Sequence, residues 1–236
     1  MNPKQLLVLT LGMVSAAMAF AADPVTDAMT SAYAPYRVAL FRTNSKAQVE
    51  SEMAIAQASQ AWRDIISKYA KAPPPPYNRD HSFAKTLADV AAVYEKASAE
   101  IRAQKLSEAH ETLENARDLM AEIRRRNNVI VYSDHMNAYH AEMEHLLSDS
   151  PKWLEQPQGF LLVMEKLGTM LFLAARLRSE APAAVAADPA FEPALKTVEQ
   201  SLNALRDAVL AQDATKVRGA ISKVKVPYSQ LFLKFG

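Results

Sequence analysis

Apolar residues recur along most of this chain at alternating steps of three and four, the spacing that gathers them on one face of an α-helix. Ile55, Ala58, Trp62, Ile65 and Tyr69 form one such stripe, which ends before the tetraproline Pro73 to Pro76. Four consecutive prolines cannot continue a helix and predict a stiff extended connector. Phe83, Leu87, Val90, Tyr94, Ala97 and Ile101 make the next stripe, and Leu106, Ala109, Leu113, Ala116, Met120 and Ile123 follow it past a break at Gln104. Two such stripes with a short turn between them predict an antiparallel helical hairpin.

Asn127-Asn128 interrupts the pattern. The β-branched run Val129 to Val131 reads as a short extended or kinked link, and Ser133 as the cap of a new helix. That helix carries Tyr132, Met136, Tyr139, Met143 and Leu146 as its core stripe. Beyond breaks at Pro151 and Pro157, the run GFLLVMEKLGTMLFLAARL is apolar on nearly all sides and predicts the most buried helix of the fold. Glu165, Lys166 and Arg176 argue against its spanning a membrane. An alanine–proline linker around residues 181–189 precedes Phe191, Leu195, Val198, Leu202, Leu205 and Val209. A last helix follows with Val217, Ile221, Val224, Tyr228, Leu231 and Phe235, kinked or restarted at Pro227. The fold class is therefore all-α, an up-down bundle of about six to seven helices.

Two of these hairpins look alike. At a constant offset of 108, Phe83, Leu87, Val90, Ile101 and Ala103-Gln104 fall on Phe191, Leu195, Val198, Val209 and Ala211-Gln212. A shared Ala-Gln turn goes beyond what any two amphipathic helices have in common, and points to a duplicated helical hairpin.

The N-terminus changes the picture of where this bundle works. One lysine, an apolar run from Leu6 to Phe20 and the small residues around Ala19-Phe20-Ala21 have the form of a secretory signal peptide over residues 1–21, cut before Ala22. The expectation is a periplasmic or secreted protein with no stable membrane span after cleavage. It divides into an N-terminal helical region, residues 22–149, and a C-terminal one, residues 150–236. The 236 residues include no cysteine, which excludes disulfides, thiolate ligands and covalent haem and leaves the apolar core to hold the fold. With 27 basic and 26 acidic residues, the chain has no charge excess with which to bind nucleic acid.

Candidate chemistry concentrates in VYSDHMNAYHAEMEHLL, Val131 to Leu147, which holds three of the five histidines. His140 stands four residues after Met136 and three before Met143, on one face, while His135 lies on the opposite flank near Glu142. One helix cannot bring all its histidines to one ion, so a site here needs ligands from neighbours such as His110 and His81. Met136, His140 and Met143 would suit copper, because thioethers are soft; His135 and Glu142 would suit iron or zinc. The expected function is binding, carrying or buffering a transition metal, copper favoured, with no catalytic role. The competing reading treats the histidines as flanks of a core stripe in a scaffold that meets another periplasmic protein. Ser133 and Ser148 sit at expected caps, and neither a nucleophile elbow nor a glycine-rich phosphate loop occurs, so turnover has little to work with.

Overall fold

The computed structural model describes residues 23–236, and all its regular elements are helical. The expected signal segment lies outside the described residues. The elements are α1 (Pro24–Asn44), α2 (Gln48–Tyr69), a 3-10 turn (Tyr77–Arg79), α3 (Phe83–Arg102), α4 (Leu106–Arg126), α5 (Tyr132–Trp153), α6 (Gly159–Ser179), the short α7 (Ala183–Ala186), α8 (Phe191–Leu210), α9 (Ala214–Ile221) and α10 (Lys225–Phe235). Among the described residues, no helix is long and apolar enough to cross a membrane.

Consecutive helices pack antiparallel: α1 on α2, α2 on α3 and α3 on α4, with α1 closing back on α4. The second half repeats the plan, with α5 on α6, α6 on α8, α8 on α9 and α10, and both of these returning to α5. The halves meet where α1 and α10 touch, and one continuous core runs through both. Residues 149 and 150 lie inside α5, so that helix continues across the boundary expected there, and its packing joins it to α6.

The expected stripes are the core. Trp62, Leu87, Leu113, Met136, Tyr139 and Met143 are all fully buried. The polar ends of three buried aromatics find backbone acceptors: Trp62 Nε1 donates to the Leu87 carbonyl at 2.9 Å, Tyr36 Oη to that of Leu113 at 2.9 Å, and Tyr228 Oη to that of Met136 at 2.9 Å. The last of these ties α10 to α5, and each spares a buried hydroxyl or indole its desolvation cost.

At the offset of 108 the two halves share one burial template. Phe83, Leu87, Val90, Tyr94, Ala97 and Ile101 and their counterparts Phe191, Leu195, Val198, Leu202, Leu205 and Val209 are all buried. So are Ala109, Leu113, Ala116, Met120 and Ile123 and their counterparts Val217, Ile221, Val224, Tyr228 and Leu231. Gln104 and Gln212 close the two turns in the left-handed region, at φ 61° and φ 51°. Shifted by one residue, Met29, Ala32, Tyr36, Ala39 and Thr43 of α1 match Met136, Tyr139, Met143, Leu146 and Ser150 of α5, again all buried.

Several local expectations are corrected. Ser133 does not cap α5; it is the helix's second residue and is buried. The first turn is held instead by Asp134, whose carboxylate accepts from the Val131 N–H at 3.0 Å and thereby satisfies an N-terminal donor. Pro151 lies within the last turn of α5 rather than ending it. The first helix, α1, spans Pro24–Asn44, and its Tyr33 and Tyr36 belong to the core. The restart expected near Pro227, by contrast, is present: a proline at 227 offers no N–H to the preceding turn, and residues 222–224 separate α9 from α10 where α4, at the corresponding register, runs unbroken. Helix α6 is not the most buried one, because Leu161 and Phe172 on it are 72 % and 62 % exposed.

Candidate functional site

Four helices, α1, α4, α5 and α10, line a small, half-open cavity of about 40 Å³. Leu40, Phe41 and Asn44 reach it from α1, His110 and Arg117 from α4, Asn137 and His140 from α5, and Lys225, Tyr228, Ser229 and Phe232 from α10. Helical periodicity accounts for the grouping: His110, Glu114 and Arg117 are four and three apart on α4, as are Lys225, Ser229 and Phe232 on α10. The space accommodates roughly three water-sized groups.

Two of the five histidines meet here, in different states. His110 Nδ1 lies 3.0 Å from the Leu40 carbonyl. A carbonyl only accepts, so Nδ1 carries the proton and the lone pair sits on Nε2, 3.9 Å from Glu114. Burial, ahead of every other influence, lowers the His110 pKa, so the ring is neutral near pH 7. His140 is flanked on both nitrogens: Arg117 Nη1 lies 2.8 Å from Nδ1 and Glu144 Oε1 3.4 Å from Nε2. A guanidinium only donates, so Nδ1 accepts and Nε2 carries the proton. The His140 ring also stacks on Tyr228, with centroids 5.6 Å apart.

Charge around the cavity is arranged in layers. Arg117 and Lys225 line it, while the carboxylates that pair with them, Asp118 at 3.2 Å and Glu114 at 3.5 Å on Arg117 and Glu144 at 3.0 Å on Lys225, are not among the lining residues. The contacts with His140 and then with Lys225 hold the Glu144 carboxyl at about 2, well below its usual value. Asn137 accepts from the Tyr33 hydroxyl at 3.2 Å through Oδ1. Its Nδ2, however, is buried and has no acceptor among the described residues. Buried donors left unpaired cost free energy, and nearly all in folded proteins are satisfied.

The structure separates the other residues expected to ligate a metal. Met136 and Met143 are fully enclosed in the core stripe beside His140 and do not line the cavity. Glu142 is ion-paired with Lys166 of α6. His135 lies in a separate surface groove with Arg125 and Arg176, and His81 in another with Pro75, Pro76 and Arg126. Among the described residues, no three histidine, aspartate or glutamate side chains are placed to share one ion. Sequence reasoning passed over Arg117, Asn137 and Lys225. One signal was available for two of them, since Arg117 and Lys225 stand at the same register of the two halves, 108 residues apart.

Fold and site together define an all-α bundle protein with a cavity of mixed polar and apolar lining among α1, α4, α5 and α10. No family model matches the chain, and neither a curated protein nor a solved structure matches it.

Proposed function

We propose that this chain is a non-catalytic binding protein of the periplasm and that the cavity holds a short-chain carboxylate. Asn137 carries this reading: its buried amide donor has no acceptor among the described residues, and it lines the cavity together with Arg117 and Lys225. A carboxylate supplies the missing acceptor and receives charge-assisted hydrogen bonds from both cations. Leu40, Phe41 and Phe232 face its apolar end, and the cavity volume favours an acid of formate to propionate size. The secretory form of residues 1–21 supports the exported setting.

Isothermal titration of the purified chain with formate, acetate, propionate, chloride and phosphate tests the proposal. A carboxylate is expected to bind one to one. Asn137→Asp preserves the oxygen that receives the Tyr33 hydroxyl but sets a negative charge against the ligand, and is expected to weaken binding at least tenfold. No heat from any carboxylate, or binding indifferent to Asn137→Asp, would reject it.

His110 favours a second reading, in which the cavity takes a transition metal, copper foremost. An imidazole anchored through Nδ1 to a carbonyl presents Nε2 in the manner of a metal ligand. His140 joins it only by leaving Arg117 or Glu144, and both methionines remain in the core. Under this reading copper stabilises the fold and His110→Ala abolishes the effect, whereas His135→Ala does not.

A further inference from the structure

One side of α6 is left bare by its own chain. Val163, Leu167, Met170, Ala174 and Leu177 face the core. On the other side, Leu161 and Phe172 stand 72 % and 62 % exposed. At 100° per residue these two lie on one line along the helix, and Glu165, Gly168, Ala175 and Arg176 flank it. A Cβ on Gly168 would meet nothing within 4 Å. Packing within the chain therefore gives no reason for a mid-helix glycine, which weakens a helix relative to alanine.

We propose that this face is the contact between two copies of the chain, whose α6 helices cross antiparallel about a two-fold axis. Glu165 and Arg176 stand equally far along the helix from a point between Met170 and Leu171, and Thr169 and Phe172 stand equally close to it. An axis through that point sets each Glu165 opposite the second copy's Arg176. It also lays each Phe172 over Thr169 and the uncovered backbone at Gly168 of the other copy. A parallel arrangement would instead oppose like charges. This self-complementarity is what a two-fold contact requires, and it favours a second copy over an unrelated partner.

Arg176 now pairs with Glu180 at 3.1 Å, with both side chains more than two-fifths exposed. Surface pairs of this kind exchange partners at little cost. A single helix face is at the small end of protein interfaces, so the association is reversible and depends on concentration.

Sedimentation equilibrium of the full chain over a range of concentrations is expected to show monomer and dimer in exchange. Phe172→Glu and Glu165→Arg are each expected to raise the dissociation constant at least tenfold, and the swap Glu165→Arg/Arg176→Glu to restore most of the loss. Circular dichroism of each variant checks that the fold is intact, as expected for exposed positions. A monomer at every concentration would overturn the proposal. So would a dimer that tolerates Phe172→Glu, or a charge swap that restores nothing.

Discussion

Arg124 is the charged side chain most completely removed from water, 3 % exposed, and Asp134 is its partner through Nε at 3.0 and 3.1 Å. Asp134 also holds the first turn of α5, so one carboxylate serves both a buried cation and a helix end. Asp134→Ala is expected to lose about 3–5 kcal/mol in urea denaturation, because a guanidinium is left buried and unpaired. Arg178, paired on the surface with Glu192 and Glu199, should lose less than about 1 kcal/mol as Arg178→Ala. Glu144 makes a prediction in pH. Its carboxyl is held at about 2 in the fold against an ordinary value of 4.5, so its contribution is present above pH 4.5 and is lost as pH falls toward 2. Glu144→Gln should flatten the fall of stability across that window in acid titrations followed by circular dichroism. Partial exposure of Glu144 keeps the effect below what the full shift implies.

At the scale of the helix, spacing alone identified the core. Met136, Tyr139 and Met143 were placed by their steps of three and four, and burial agrees. Met143→Ala is accordingly expected to cost about 2–5 kcal/mol of stability while leaving any copper affinity unchanged, a pair of results that calorimetry and metal titration read separately. Spacing could not reveal which side of α6 would be covered. A run apolar all round is compatible with burial on every side, and only the positions of α5 and α8 leave Leu161 and Phe172 uncovered. The break at Pro227 was legible because a missing N–H acts locally. Arg117 and Asn137 were not, because nothing within α4 or α5 says that α10 lies across from them. On the histidine helix, spacing did place His135 and His140 on different flanks, and they reach different surfaces; which neighbouring helices would face each of them was not legible within α5.

The whole molecule is joined through aromatic rings that ignore the division into halves. Tyr33 of α1 meets Phe232 of α10 edge-on with centroids 6.4 Å apart, Phe232 stacks on Tyr228 at 5.9 Å, and Tyr228 on Tyr139 at 5.0 Å. Because this core is shared, scanning calorimetry is expected to show one transition rather than two. Phe232→Ala should lower its midpoint, at a cost of about 3–5 kcal/mol. Separate transitions for the two halves would contradict the joined core. The same contact governs the order of assembly. Tyr33 and Phe232 are almost as far apart in sequence as two described residues can be, and loops of that length close late. During synthesis, α1 can dock on α2 and α4 as soon as they are made, while the ring of Tyr33 waits for Phe232 of the last helix. A ribosome that stops before α10 therefore releases a chain whose first half is assembled but whose Tyr33 edge is left without that cover.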